Sequence, residues 1–306
     1  MPFMPARLVF MGSPDFALPT LRALAANYDV VGVITQPDRP AGRGKQLTPP
    51  PVKTLAQELD LPFIQPARLR EPEAIAQLRI WAPDLIVVAA FGQILRQEVL
   101  DLPLHGCLNV HASLLPRWRG ASPIQAAILA GDAETGVTIM RMDKGLDTGP
   151  ILIERAIPIA PDDTAATLSD KLSTLGADIL IETLPKYLSG ELKPTPQPEA
   201  GATSAPILKK SDGELDAALS AEELARKVRA FNPWPGAFIV WKRQPLKVHR
   251  ARIAAGNAAS GQHRIEGGLP AIGTESGILI LDEVQPAGKK PMSGEEFLRG
   301  ARDWIN

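Results

Sequence analysis

Residues 7–35 read RLVFMGSPDFALPTLRALAANYDVVGVIT, and this stretch determines the class of fold. Two short apolar runs, at 7–11 and 28–35, enclose a segment whose hydrophobic residues recur with helical spacing. A strand, a helix and a second strand in this order form a βαβ unit, which indicates a parallel sheet. The turn after the first run, G-S-P-D-F at 12–16, lacks the G-x-G-x-x-G pattern, so it does not support a dinucleotide site.

The same pattern continues outward from this unit. Residues 84–90, DLIVVAA, are apolar throughout, which is typical of a central strand in a parallel sheet. Phe91 and Gly92 follow at the carboxyl end of that strand, where open α/β sheets bind their ligands. Further helices are predicted at 52–59, 71–81, 94–100, 123–130 and 164–188, and further strands at 61–65, 106–110, 136–142 and 150–158. The fold class predicted for residues 1–189 is α/β, with a Rossmann-like, mostly parallel sheet.

Residues 190–206, GELKPTPQPEAGATSAP, are proline-rich and show no apolar periodicity, which predicts a linker. Beyond it, helices are predicted at 221–230 and 294–304, and short strands at 237–241, 246–254, 263–267, 271–273 and 277–284. Short strands joined by glycine-rich turns favour a small β-barrel that resembles an oligonucleotide-binding (OB) fold. We therefore predict a catalytic domain at 1–189, a linker at 190–206 and an OB-like domain at 207–306.

Net charge, cysteine count and the lengths of the apolar runs limit the partners and the cellular compartment that the sequence supports. The net charge is −1, so the overall charge does not indicate DNA or RNA as a partner. Cys107 is the one cysteine of the sequence, which excludes an internal disulfide and favours a reducing compartment and an inert, buried thiol. The start of the chain does not resemble a signal peptide, and no apolar run approaches the ~18 residues of a membrane helix. These features leave the cytoplasm, or an organellar matrix after processing, and we predict a cytoplasmic monomer with no membrane contact.

Residues 36–51, QPDRPAGRGKQLTPPP, interrupt the α/β pattern. They include Arg39, Arg43 and Lys45 but only one acidic residue, Asp38. Loops longer than about 12–15 residues without secondary structure are uncommon in compact domains and are usually functional or disordered. Two interpretations remain open: a solvated loop, or a basic finger that contacts nucleic-acid phosphates.

Two polar motifs form the candidate reacting centre. Asn109 and His111 lie two residues apart on a predicted strand, so their side chains share one face. Taken alone they fit a turn cap and a structural histidine. The motif M-D-K-G-L-D-T-G-P at 142–150 adds Asp143 and Asp147, and a carboxylate beside an imidazole fixes the orientation of the ring. The histidines show no zinc-binding spacing and no serine motif marks a nucleophile, so direct attack of an amine on an acyl carbon fits best, without a metal.

N-V-H-A-S-L-L-P-R-W-R-G-A-S-P-I at 109–124, together with the motif at 142–150, resembles the signature of the folate-dependent formyltransferases. The resemblance implies 10-formyltetrahydrofolate as co-substrate and a catalytic trio of Asn109, His111 and Asp147. The folate site that it implies comprises Ser113, Leu114, Leu115, Pro116, Phe91, Gly92 and Asp143.

Further motifs resemble the branch of that family that formylates an aminoacyl-tRNA. They are F-M-G-S-P-D-F-A at 10–17, T-Q-P-D-R-P-A-G-R-G-K at 35–45, K-S-D-G-E-L-D at 210–216 and R-A-F-N-P-W-P-G-A-F at 229–238. This resemblance implies formyl transfer to the α-amine of initiator methionyl-tRNA in translation initiation, with Arg39, Arg43 and Lys45 as tRNA contacts. Two alternatives remain: a formyltransferase for an amino sugar or other small amine, and an RNA-binding module with an inert catalytic domain.

Overall fold

The computed structural model describes residues 6–41 and 46–305. The chain divides into two compact units. The first runs through Pro123 and includes Glu134–Ile157 and Ser169–Ala205. The second combines Ile124–Ala133, Pro158–Leu168 and the chain from Pro206 onward. The predicted boundaries at 189 and 207 remain a proposal, because two segments of the predicted catalytic domain group with the second unit.

Strands and helices are interspersed up to residue 205. The strands are β1 (Arg7–Gly12), β2 (Asp29–Ile34), β3 (Arg39–Ala41), β4 (Gln46–Thr48), β5 (Phe63–Ile64), β6 (Leu85–Ala89), β7 (Cys107–His111), β8 (Arg119–Gly120), β9 (Glu134–Arg141), β10 (Ile151–Pro158) and β11 (Ser204–Ala205). The helices are α1 (Leu18–Asn27), α2 (Pro51–Glu58), α3 (Pro72–Trp81), α4 (Gln97–Leu100), α5 (Pro123–Ala130) and α6 (Ala165–Leu188). Successive strands occur at β2–β4, β7–β8 and β9–β10.

The main sheet has the strand order β10-β9-β7-β6-β1-β2-β5. β1 pairs in parallel with both β2 and β6, and β6 pairs in parallel with β7, which confirms the Rossmann-like, mostly parallel sheet. β9 runs antiparallel to β7. Every residue of β6 is buried, and burying one Leu, Ile or Val side chain contributes about 1.5–3 kcal/mol. The carboxyl ends of β1, β2, β6 and β7 therefore meet at one edge of a rigid sheet.

The basic segment at 36–51 is not an irregular loop throughout. β3 and β4 pair as an antiparallel hairpin, with Arg39 opposite Thr48. Lys53 Nζ lies 2.7 Å from Asp38 Oδ2, and Gln65 Nε2 donates to Asp38 Oδ1 at 2.7 Å. The hydrogen bonds from Gln65 and Lys53 hold the pKa of the Asp38 carboxyl below its ordinary value. The base of this hairpin is thus anchored to the first unit by charge-assisted hydrogen bonds.

The second unit contains an antiparallel sheet, as predicted. Its elements are α7 (Ala221–Ala230), β12 (Ala237–Trp241), β13 (Gln244–Ala254), β14 (His263–Glu266), β15 (Leu269–Gly273), β16 (Ile278–Gln285), β17 (Met292–Ser293) and α8 (Gly294–Gly300). The strand order is β12-β13-β16-β15-β14, and β17 pairs with β16. Within the described ranges no pairing joins β14 to β12, so closure into an OB-like barrel remains a prediction.

The last predicted helix ends early, at Gly300 rather than at residue 304. Trp304 is buried, its indole Nε1 donates to the Arg264 carbonyl oxygen at 2.7 Å, and its ring stacks on His263 at 4.1 Å between centroids. Burial of the Trp304 side chain in the core favours a non-helical turn after Gly300 over continuation of the helix.

Cys107 begins β7 and is buried, and burial raises the pKa of its thiol to about 12. We expect the native protein to resist thiol reagents at pH 8 and the unfolded protein to react at once, because the thiolate is the reactive species. Since the folded pKa lies above the ordinary value of 9.0, this group stabilises the fold below pH 9 and its contribution is lost as pH rises toward 12. Absorbance titration of the thiol with and without denaturant measures its pKa in the folded and the unfolded protein, from which both effects follow. Rapid labelling of the native protein by a thiol reagent at pH 8 would contradict the prediction.

Candidate active site

β7 carries the first two predicted site residues at its carboxyl end. Asn109 and His111 lie on the same face, as their spacing requires. The imidazole of His111 is buried, and its Nε2 lies 3.0 Å from the carbonyl oxygen of Trp118. Since a carbonyl oxygen only accepts, Nε2 carries a proton and donates to it. Trp118 therefore fixes the ring, and Nδ1 is the nitrogen left for chemistry.

Asp147 lies against both of these side chains. Its Oδ1 accepts a hydrogen bond from Asn109 Nδ2 at 3.3 Å, and its Oδ2 accepts one from the backbone N–H of Gly120 at 2.9 Å. The same Oδ2 lies 3.7 Å from Nδ1 of His111. The Asp147 side chain is 13% exposed, so solvent screens these interactions weakly. The structure thus brings the three predicted catalytic residues together around one space.

Asp147 itself has a left-handed backbone, with φ of +53°. Few residues other than glycine adopt this conformation, although Asp is among those that tolerate it. The conformation persists only where the surrounding structure holds it, and such residues cluster at functional sites.

The predicted folate loop, Ser113–Pro116, follows β7 directly. The Ser113 hydroxyl is buried and donates to the carbonyl oxygen of Arg117 at 2.6 Å. Thr138 Oγ1 on β9 lies 2.7 Å from the Ser113 carbonyl oxygen and accepts from the Leu115 N–H at 3.1 Å. Leu115 is buried, whereas Leu114 and Pro116 are half-buried. Ser113 and Leu115 therefore shape the loop, and Leu114 and Pro116 leave part of their apolar surface accessible.

The other predicted folate residues lie in two neighbouring turns. The Phe91 side chain belongs to the buried core, while its carbonyl oxygen accepts from Gln36 Nε2 at 3.1 Å. Gly92 is exposed, with φ of +78°. Asp143 is exposed, and its Oδ1 accepts from the Gly145 N–H at 2.9 Å. At Phe91 only the backbone is therefore available to a ligand, and Asp143 shapes the loop that carries Asp147.

Of the predicted tRNA contacts, Arg39 is exposed and donates to Gln36 Oε1 at 3.0 Å. Gln36 in turn donates to the turn after β6, so the arginine is connected to the edge of the sheet. Arg43 and Lys45 lie outside the described residues.

Sequence reasoning missed three groups that hold the site: the Trp118 carbonyl, Gly120 and Gln197. Gly120 has φ of +122°, and a Cβ atom there would lie 2.5 Å from the carbonyl oxygen of Ala205. Only glycine fits this close backbone approach. Gln197 donates to the carbonyl oxygens of Asp147 at 2.8 Å and of a neighbouring glycine at 2.7 Å. The glycine is visible in the sequence, but nothing in the sequence indicates that Gln197 reaches this loop.

The described part of the chain holds neither a cluster of metal ligands nor a membrane-spanning helix. Across 6–41 and 46–305, no group of three or more His, Cys, Asp or Glu side chains is arranged to hold a metal ion. In the same part of the chain no helix combines the length and apolar character needed to cross a bilayer.

This arrangement is suited to acyl transfer. Asn109 Nδ2 can donate a hydrogen bond to an oxygen that gains negative charge, and His111 Nδ1 can do so when it carries a proton in addition to the one on Nε2. Asp147 can accept a proton from an attacking group. The nearby hydroxyl of Ser113 already donates to a carbonyl oxygen and is buried, so it is not available as a nucleophile.

Known proteins share both the sequence and the fold. Residues 6–184 match the formyl transferase family, and residues 207–302 match the C-terminal domain of formyl transferases. A methionyl-tRNA formyltransferase of Myxococcus xanthus (strain DK1622) is 52% identical over 296 residues, which cover 96% of this chain and 95% of that protein.

Two solved structures align at low identity and therefore show the fold alone. The methionyl-tRNA formyltransferase from Clostridium thermocellum aligns with a TM-score of 0.55 and 18% identity, over 81% of this chain and 94% of that one. HypX from Aquifex aeolicus in complex with tetrahydrofolic acid aligns with a TM-score of 0.64 and 17% identity, over 96% of this chain and 47% of HypX. On the family matches and the 52% identity, the chain belongs to the formyl transferase family, in the group named methionyl-tRNA formyltransferase.

Proposed function

We propose that this protein transfers a formyl group from 10-formyltetrahydrofolate to the α-amine of initiator methionyl-tRNA in translation initiation. The observation that carries the proposal is the placement of Asp147, which touches Asn109 Nδ2 and the Gly120 N–H and faces His111 Nδ1. The relatives' name supports the choice of methionyl-tRNA as acceptor.

The folate supplies the formyl group when it is bound. The half-buried apolar surface of Leu114 and Pro116 lies in the loop after β7 and fits a planar ring system. Phe91 would contribute its backbone, and Gly92 leaves room beside it. We propose the folate site at these residues together with Ser113, Leu115 and Asp143, whose part is to hold the two loops in shape.

In the proposed mechanism the neutral α-amine of the methionyl ester attacks the formyl carbon, and the carbonyl electron pair moves to oxygen. Asn109 Nδ2 and a protonated His111 Nδ1 donate hydrogen bonds to this oxyanion. One such donor contributes about 2.7–4 kcal/mol to lowering the barrier. Asp147 accepts the amine proton and delivers it to the folate nitrogen as the bond between that nitrogen and the formyl carbon breaks. Atoms and charge balance without a covalent enzyme intermediate.

Binding of the tRNA is proposed for two parts of the chain. Arg39 is exposed at the start of the β3–β4 hairpin, and Arg43 and Lys45 follow in the sequence, so this basic segment suits the phosphates of an RNA stem. We propose residues 207–306 as a second tRNA-binding domain, 1–189 as the catalytic domain and 190–206 as the connection. We further propose that the protein acts as a cytoplasmic monomer.

A formylation assay tests the proposal. The protein is incubated with 10-formyltetrahydrofolate and, in parallel, with charged initiator tRNA, glycinamide ribonucleotide or a nucleotide-linked amino sugar. We expect turnover with the tRNA, and turnover only with a small amine would contradict the proposal. Filter binding of initiator tRNA at two salt concentrations adds an independent measure, because contacts to phosphates weaken as salt rises. Binding without formylation would indicate an RNA-binding module instead.

A further inference from the structure

The segment predicted as a linker is built into the first unit. Thr195 forms a β-bridge with Ile151, and β11 pairs in parallel with β8. Between these two points, Thr203 contacts the loops of the active site. Its Oγ1 accepts from the Trp118 N–H at 2.9 Å, and its N–H donates to the Pro116 carbonyl oxygen at 3.3 Å. Residues 195–205 therefore cross the loops that carry the predicted folate surface and the carbonyl that orients His111.

Gln197 makes the central contacts of this segment. Its amide Nε2 donates to the carbonyl oxygens of Asp147 at 2.8 Å and Gly149 at 2.7 Å, and its Oε1 accepts from Arg119 Nε at 3.0 Å. An arginine side chain only donates, so the contact with Arg119 sets which end of the amide faces the Asp147 loop. The half-buried Gln197 amide thus uses both of its N–H groups on the Asp147 loop and its oxygen on Arg119.

These bonds hold the backbone of Asp147, and a separate bond holds its carboxylate. The carboxylate Oδ2 is held by the Gly120 N–H, next to Arg119, while the main-chain carbonyl is held by Gln197. Both ends of Asp147 are therefore tied to the short strand β8. A residue with φ of +53° depends on such external bonds to keep its conformation.

We propose that Gln197 is a positioning residue for formyl transfer, which holds the Asp147 carboxylate at its distances from Asn109 and His111. The inference rests on the proposed function, because it assumes that Asp147 handles the proton. Gln197 touches the backbone of the catalytic loop and acts through it.

Steady-state kinetics of Gln197→Ala test this role. We expect kcat for initiator methionyl-tRNA to fall about 10- to 100-fold, because displacing a reacting group by about 1 Å can cost 10²-fold. KM for both substrates should stay within threefold of wild type. Gln97→Ala is the control, since Gln97 is an exposed glutamine of the first unit whose Nε2 also donates a hydrogen bond, to Asp101 Oδ1 at 2.7 Å, away from the active-site loops. The control should turn over like wild type.

Two further variants separate positioning from general stabilisation. Gln197→Glu keeps an oxygen for Arg119 but removes both donated bonds, so it should lose as much activity as the alanine variant. In an Asp147→Asn background, Gln197→Ala should change the remaining rate by less than twofold, because its effect passes through that carboxylate. A glutamate variant near wild-type turnover, or an equal loss in both backgrounds, would overturn the proposal.

Hydrogen exchange provides a readout that does not need activity. A peptide covering 142–150 should exchange faster in both Gln197 variants than in wild type or Gln97→Ala, and equal rates would count against the positioning role. If Gln197→Ala does not fold, turnover and hydrogen exchange of Gln197→Glu test the positioning role instead. Failure of the wild-type protein to formylate the tRNA would contradict the proposed function, and the exchange comparison would still test whether Gln197 holds the loop.

Discussion

The Asp147→Asn variant is expected to lose formyl transfer by about 10²- to 10⁴-fold in kcat, the range typical of a missing acid–base group. Asparagine has nearly the same size, so the change removes the charge and the proton acceptor and little else. It also places an NH₂ group where both carboxylate oxygens accept, from Asn109 Nδ2 and from the Gly120 N–H. Either Asn109 Nδ2 or the Gly120 N–H then faces the new NH₂ group and loses its hydrogen-bond acceptor.

The fold should survive this substitution. A hydrogen bond contributes about 0.5–1.5 kcal/mol net, so losing one leaves most of the stability of a domain intact. Single-turnover formylation of charged initiator tRNA measures the chemical step, and a thermal melt checks the fold. Asp170→Asn serves as the control, because Asp170 is an exposed acid on helix α6 and should show wild-type turnover. A kcat within threefold of wild type in the Asp147 variant would remove Asp147 from the mechanism.

Much of this site follows from local sequence. A spacing of two on a strand places Asn109 and His111 on one face, and the strand's carboxyl end places them at the ligand-binding edge of the sheet. Gly145 and Gly149, on either side of Asp147, predict a tight loop. What local sequence does not contain is the contact between Asp147 and Gln197, 50 residues apart, or between Arg119 and Gln197, 78 apart. Proline-rich composition indicates the absence of regular structure in 190–206, not the absence of contacts.

In the fold, too, local sequence predicts some features and misses those set by contacts between distant residues. Apolar patterns predict that β6 and β9 are buried, but burial alone does not set strand direction, and β9 runs antiparallel. The hairpin of β3 and β4 was missed because each strand pairs through only three residues, too few to give an alternating apolar signal. Helix α4 begins at Gln97 instead of residue 94 because Arg96 has an extended backbone that serves as its N-cap. Backbone carbonyls such as that of Trp118, which orients His111, have no signature in sequence at all.

Substitutions at His111 have the second largest expected effect, and they distinguish its two nitrogens. His111→Ala should lower kcat by about 10²- to 10³-fold, as the loss of one oxyanion donor does elsewhere. Nε2 is engaged by the Trp118 carbonyl at 3.0 Å, so Nδ1 is the nitrogen that can face the reacting oxygen. An asparagine amide places its NH₂ near the position of Nδ1, whereas a glutamine amide places it near that of Nε2.

His111→Asn should therefore retain more formyl transfer than His111→Gln, although glutamine preserves the bond to Trp118 and with it more of the stability. Turnover and thermal stability should rank the two variants in opposite order, which a general loss of structure cannot produce. His105→Ala is the control, since His105 is a half-buried histidine of the same unit whose ring packs on Tyr187. If the glutamine variant were the more active, Nε2 would be the catalytic nitrogen. Trp118 would then have to release the ring when the substrate binds.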